Sequence, residues 1–311
     1  MILLDFSNVA VAGIMAMAFQ NKFAITEDII KHTIFNSIRA RNMQFKGEFG
    51  KMYIICDSHE PPCWRYEIFP EYKARRKIKK KADEKIDWNF VFKVMSETKQ
   101  ILIDNFPFPV VTVDRCEGDD VIGHSAALCS RSKTKCMIVG GDKDYYQCHD
   151  DYVVQYLINK KIVFRHPDPK AALTELIVRG DGGDDIPNIK SQNDIFLTEG
   201  VKQGSITKEF LAHFIDGGDP EVITIKEKKK RNKATDEMEV IPAYDIDVPT
   251  YYKRNQQLID FDYIPDDLKK DIEVAMLSAT KQVTQGNRNR VFKYLAKAKM
   301  RMLLQKFNDF F

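Results

Sequence analysis

The sequence predicts an α/β fold: a central, mostly parallel sheet flanked by helices, with a basic insertion and a smaller, mainly helical C-terminal subdomain. Two observations carry this. Short apolar runs alternate with helix-period patterns through the first 165 residues, as in successive β-α units. Three of those runs lead directly into acidic residues, as MILLD does at Asp5 and KMYIICD at Asp57. Ligand crevices of open parallel sheets lie at the carboxyl ends of the strands, where residues distant in sequence meet. A chain of 311 residues has room for one large α/β unit and a smaller partner.

Strands are expected at 1–5, 51–57, 109–114, 135–140, 152–157 and 161–165, each a short run rich in Val, Ile, Leu or Tyr. Helices are expected at 9–19, 26–45, 87–105 and 117–130. In the third, Trp88, Val91, Phe92, Met95, Leu102 and Phe106 recur at helical spacing and form a buried stripe. The segment 60–86 is too long for a tight βα connection and combines Trp64, Tyr66, Phe69 and Tyr72 with a dense run of bases, so it reads as a functional insertion. A domain boundary is expected near residue 180. Residues 181–311 then supply a helix at 206–215, a polar flexible loop at about 217–247, and helices at 265–279 and 290–306.

The formal net charge of +3 hides a segregation of charge. Bases concentrate at Arg65 to Lys81 (eight Lys/Arg against two Glu), Lys226 to Lys233 (six against one) and Lys281 to Lys306 (eight against none). Each run alone reads as a solvated face, but next to clustered acids the segregation points to a polyanionic partner. The six cysteines form no C-x-x-C pair and read as buried thiols of a reducing compartment, with no zinc site. Residues 9–19 are apolar, but no base precedes them and eleven residues do not span a bilayer, so a cytoplasmic protein is expected.

Nine carboxylates define the candidate site: Asp5, Asp57, Glu117, Asp119, Asp120, Asp142, Asp144, Asp181 and Asp184. Any one of them is readily explained as a turn residue or as an acid in the first turn of a helix. Neither role explains why successive strands each lead into one. Converging carboxylates repel in a low-dielectric site unless cations neutralise them. Oxygen-only donors suit Mg²⁺ or Mn²⁺, and two such ions roughly 3.5–4 Å apart can clamp an in-line phosphodiester displacement. The six histidines are scattered, and no Ser-His-Asp or Cys-His arrangement stands out.

In order, LLDFSN at 3–8, IICDS at 54–58, RCEGDD at 115–120, VGGDKDYYQ at 139–147 and GDGGDDIPN at 180–188 resemble the motifs of the flap-endonuclease or 5′-nuclease superfamily. LIDFDYIPDDL at 258–268 is similar to the T-even-phage ribonuclease H type within it. The resemblance implies a PIN/5′-nuclease-like fold and a metal-dependent 5′-nuclease that removes RNA primers and adjoining DNA during phage replication. It places Asp5, Asp57, Glu117, Asp119 and Asp120 on a first metal, and Asp142, Asp144, Asp181 and Asp184 on a second. Asp185 stands where the family more often has Asn.

FPEYKARR at 69–76 is similar to the arch under which a single-stranded 5′ end threads. That implies Lys73 and Arg76 at the scissile phosphate, Tyr72 stacked on a base and Arg75 on the nucleic acid. Where the family carries a glycine-rich helical hairpin that grips duplex phosphates and often a monovalent cation, this chain has IPNIKSQNDIF without paired glycines. Lys202 and Lys208 are then either replacement phosphate contacts or simply exposed. RNA–DNA and DNA duplexes with 5′ ends or flaps are the expected partners of a monomer, in the host cytoplasm if phage-encoded. The C-terminal LLQKFNDFF, with Phe307, Phe310 and Phe311, reads as either core packing or a docking tail for a sliding clamp or single-strand-binding protein.

Two other classes compete. A non-catalytic nucleic-acid-binding relative would have lost carboxylates, and all nine are present. A haloacid-dehalogenase-type phosphatase needs Asp-x-Asp, and Ser7 stands at its second position.

Overall fold

Six strands form the central sheet, in the order β3-β2-β1-β4-β5-β6. They are β1 (Ile2–Asp5), β2 (Met52–Ile55), β3 (Val110–Val111), β4 (Cys136–Val139), β5 (Val153–Leu157) and β6 (Ile162–Phe164). All neighbours are parallel except β5 and β6. The computed structural model describes residues 1–19, 25–58, 60–75, 86–198, 201–225, 228–231, 238–241, 244–283 and 288–311. By contacts the chain divides into two units: Met1–Trp64, Ala82–Pro169 and Ile264–Phe311 in the first, Arg65–Lys81 and Lys170–Tyr263 in the second.

Unit 1 holds the sheet. Leu4 pairs with Ile54 on one side and Val139 on the other, so β1, β2 and β4 end at the same level and the residues that follow them emerge on one edge. Both faces are covered, because successive residues point to opposite sides and Ile2, Leu3 and Leu4 are all fully buried. One face packs Ile2, Leu4, Met52, Ile54, Met137 and Val139 against α1 (Phe6–Phe19), α2 (Glu27–Phe49) and α4 (Trp88–Asn105). The other is covered by α5 (Gly118–Arg131), which packs on β1, β2 and β4, and α5 in turn meets α9 (Asp266–Gln282).

The helix ends follow local chemistry. Thr26 caps α2 through the Ile29 amide, and Gly50, at φ 77°, returns its N–H to the Lys46 carbonyl. Asp87 caps α4, which ends at Phe106, immediately before Pro107. The helix expected at 290–306 is two, α10 (Arg288–Lys297) and α11 (Arg301–Gln305), separated where Lys299 takes φ 54°. Their apolar residues Val291, Leu295 and Leu303, with Phe310 of the 3₁₀ turn that follows, join the main core, so residues 264–311 return to unit 1 instead of completing the second subdomain. Phe310 is buried against Phe106, and Phe307 and Phe311 pack on the same core, so the tail is core structure and not a free docking segment. Cys56, Cys63, Cys116, Cys129 and Cys136 are buried, and Cys148 is partly buried.

Unit 2 contains α3 (Arg65–Ile68) and two longer helices absent from the sequence reading, α6 (Pro169–Arg179) and α8 (Val248–Ile259), with α7 (Lys208–Ile215) near its expected place. The stretch expected as a flexible loop carries two antiparallel strand pairs: Ile223–Ile225 with Tyr244–Ile246, and Lys228–Arg231 with Met238–Ile241. In the described part of the expected arch Trp64, Phe69 and Tyr72 are buried, while Tyr66 and Ile68 are exposed. Phe69 and Tyr72, three residues apart, are buried with Leu176, Ile177, Ile186, Leu258 and Ile259. Among the described residues no helix is long and apolar enough to cross a membrane.

Candidate metal centre

Asp5 ends β1 at the middle of the sheet. Its Oδ1 accepts the Asn8 amide at 2.9 Å and its Oδ2 the Tyr145 hydroxyl at 2.9 Å. Asp57, two residues beyond β2, accepts Ser7 Oγ at 2.7 Å and the Gly118 amide at 2.8 Å. A side chain at Gly118 would crowd the Asp57 carboxylate, with its Cβ 3.2 Å from Oδ1. The start of α5 is thereby held against the end of β2, and it brings Glu117 and Asp119 with it. The Tyr145 hydroxyl that meets Asp5 also hydrogen-bonds Asp119 Oδ1.

The turn after β4 adds Asp142, whose Oδ1 accepts the Asp144 amide at 3.0 Å. Buried Gln155 on β5 fixes this turn by donating to the carbonyls of Gly140 (3.1 Å) and Asp142 (2.7 Å), while Asn8 Oδ1 accepts the Gly141 amide at 2.8 Å. Ser7, Asn8, Tyr145 and Gln155 are thus supports for the acids. The first three lie within or beside the acidic motifs. Gln155 left a signal only as a polar residue inside an apolar strand.

Electrostatics register the crowding. Burial first, then the Asp57 and Asp142 carboxylates, raise the Asp5 pKa from its ordinary 3.8 to about 7, against the opposing pull of the Asn8 amide and Tyr145 hydroxyl. The Tyr145 phenol is pushed well above its usual range by burial and by Asp119 and Asp5. Asp120 differs from its neighbours. It is fully buried, and its Oδ2 accepts the Glu117 amide at 2.9 Å and the Trp64 indole N–H at 3.3 Å, so it closes the capping box of α5, whose N-cap is Glu117.

Oxygen donors alone line the site. Among the described residues no three His, Cys, Asp or Glu side chains form a ready-made metal cage. An oxygen-only donor set suits a hard divalent cation that takes few carboxylates and completes its sphere with water and substrate phosphate.

Asp181 and Asp184 lie in unit 2. The turn they occupy depends on Gly180 at φ 65°, where a Cβ would collide with the Ile186 and Pro187 carbonyls. Asp181 Oδ1 accepts the Gly183 amide, and Asp184 Oδ2 accepts the Tyr72 hydroxyl at 3.0 Å and pairs with Lys73 Nζ at 3.3 Å. Tyr72 is buried, so the expected base stacking is corrected: its ring is core and its hydroxyl anchors Asp184. Arg75 is likewise engaged, paired with buried Asp185, donating to the Gly182 carbonyl at 2.9 Å and lying 4.1 Å from the Phe196 ring centroid. Asp185, which stands where the family more often has Asn, is the carboxylate that pairs with Arg75. Arg76 lies outside the described residues. Lys202 and Lys208 are exposed.

The IPNIKSQNDIF segment is organised without paired glycines. Buried Arg254 places all its guanidinium nitrogens on oxygens of Pro187, Asn188, Ser191, Asn193 and Asn255.

Comparison with known proteins decides the family. The model of the 5′-3′ exonuclease N-terminal resolvase-like domain matches residues 3–174. The chain belongs to the 5′-3′ exonuclease family. The model described as T4 RNase H, C terminal, matches residues 169–310 of this family member. The chain is 25% identical to ribonuclease H of Enterobacteria phage T4 over 318 residues, covering 99% of this chain and 95% of that protein. It is 31% identical to flap endonuclease Xni of Psychromonas ingrahamii over 110 residues, 33% of this chain and 37% of that one. In fold it is similar to a bacteriophage T5 flap endonuclease solved with DNA and metal ions, with a TM-score of 0.59 at 14% identity over 90% of this chain and 98% of that one. The T5 5′-exonuclease with bound zinc ions gives 0.57 at 12% identity, over 91% and 99%.

Proposed function

We propose that this nuclease is a divalent-metal-dependent 5′-to-3′ phosphodiesterase of the ribonuclease H and flap-endonuclease type, acting on RNA–DNA and DNA duplexes and removing RNA primers in a host cytoplasm. The observation that carries the reading is the convergence of Asp5, Asp57 and Asp119 at one sheet edge, where the Tyr145 hydroxyl meets Asp5 and Asp119 and the Gly118 amide holds Asp57; burial and the Asp57 and Asp142 carboxylates raise the Asp5 pKa accordingly. Asp5, Asp57, Glu117, Asp119, Asp142 and Asp144 are the proposed donors, and Mg²⁺ the proposed ion. Bound there, the ion supplies Lewis-acid activation of water and of the phosphodiester.

The protein's own part is to hold the donors. Ser7 and the Gly118 amide orient Asp57, Asn8 and Tyr145 orient Asp5, and Gln155 fixes the Asp142 turn. Asp181 and Asp184, which the resemblance assigns to a second ion, stand in unit 2, where Lys73 pairs with Asp184 and the Tyr72 hydroxyl donates to it; the proposal rests on the unit 1 acids. The test is a product ladder from 5′-labelled RNA-primed DNA and from a flapped duplex, each with and without Mg²⁺. Stepwise or flap-length products that vanish in EDTA are expected. Intact substrates under all conditions would overturn the reading.

A further inference from the structure

We propose that Tyr145 is a positioning residue for this cation site: one buried hydroxyl reaches the carboxylates of Asp5 and Asp119 together and sets the spacing of two acids that arrive from different elements. The inference rests on the preceding reading only in that these acids take a cation. Asp5 comes from the end of a strand and Asp119 from the first turn of a helix, while Tyr145 sits in the 3₁₀ turn Asp144–Cys148 that follows Asp142. The hydroxyl thus ties together three of the elements that carry the acids.

The ring is held as firmly as the hydroxyl. Tyr145 is fully buried, and Gly140 leaves room for it: a Cβ at residue 140 would stand 3.1 Å from the ring Cε2 and 3.4 Å from Asp5 Cβ. Such a ring has no freedom to follow the carboxylates, so the carboxylates must conform to it. A phenol has a single proton and cannot donate to two carboxylates at once. Outer partners of metal ligands typically change metal affinity about 10–100-fold when removed.

The test compares Mn²⁺ binding, by electron paramagnetic resonance and calorimetry, in the wild-type protein and Tyr145→Phe, with circular dichroism and melting of both in EDTA. A merely structural hydroxyl would lower the melting temperature and leave the Mn²⁺ affinity of the folded variant unchanged. The positioning role predicts Mn²⁺ affinity at least about tenfold weaker, with cleavage recovered by raising the metal concentration. Equal Mn²⁺ affinity in both proteins overturns the role of Tyr145 alone; absence of Mn²⁺ binding in the wild type overturns the metal reading and this inference with it. If Tyr145→Phe does not fold, wild-type protein labelled with ¹³C at the phenolic carbon of its 12 tyrosines serves instead. One resonance is expected to move with Mg²⁺ along the binding isotherm, and a spectrum in which none moves overturns the proposal.

Discussion

Replacing Asp5 by Asn should stabilise the metal-free protein at neutral and higher pH. The Asp5 pKa rises from 3.8 in the unfolded chain to about 7 in the folded one, and each tenfold change in proton affinity corresponds to about 1.4 kcal/mol. Between pH 4 and pH 7 the folded state holds a proton that the unfolded state has released. Stability therefore falls as pH rises through that window, and at pH 8 the full penalty, on the order of 4 kcal/mol, has accumulated. Asn keeps an oxygen for the Asn8 amide while removing the charge that Asp57 and Asp142 oppose. Urea unfolding in EDTA should then show Asp5→Asn more stable than wild type by about 2–4 kcal/mol at pH 8, and nearly equal at pH 4. Mg²⁺ at 100 times its Kd should add about 2.7 kcal/mol to the wild type and little to the variant. A variant less stable than wild type at both pH values would make Asp5 an ordinary hydrogen-bond acceptor and refute the reasoning.

Asp142→Asn should abolish cleavage while leaving duplex affinity within about twofold, and retained turnover would remove Asp142 from the site. Lys73→Ala should lower the single-turnover rate far more than affinity if Lys73 exchanges Asp184 for a phosphate oxygen; loss of affinity alone would make it a tether. Arg75→Ala leaves Asp185 buried and unpaired, so it should cost about 3–5 kcal/mol of stability, with partial recovery in the Arg75→Ala/Asp185→Asn double variant. A variant with unchanged melting but weakened nucleic-acid binding would return Arg75 to the substrate. Phe310→Ala should destabilise unit 1 by about 3–5 kcal/mol in thermal unfolding, and normal stability with lost affinity for a clamp or single-strand-binding protein would contradict its place in the core.

The sheet and the site in unit 1 were legible because both depend on local pattern. Apolar runs of four to six residues mark buried parallel strands, and acids immediately after them, as at Asp5 and Asp57, occupy the edge where β1, β2 and β4 end together. What was not legible depends on long-range pairing. Helix α6 follows an apolar run closely and opens with Pro169, which reads equally as a turn, and α8 is polar on the face opposite Leu258 and Ile259. The resemblance of FPEYKARR to an arch implied nucleic-acid contacts for Tyr72 and Arg75, and it could not show that Asp184 and Asp185, over 100 residues away, hydrogen-bond or pair with them. The return of residues 264–311 to unit 1 is likewise decided by Val291, Leu295 and Phe310 meeting the main core, and an amphipathic pattern does not name its partner.

Anomalous diffraction from Mn²⁺-soaked crystals of the wild-type protein tests the central claim most directly. A manganese peak about 2.0–2.3 Å from carboxylate oxygens of the unit 1 acids, Asp5 among them, is predicted. A map with no peak at these acids, while the protein still cleaves its substrate in that metal, would contradict the account.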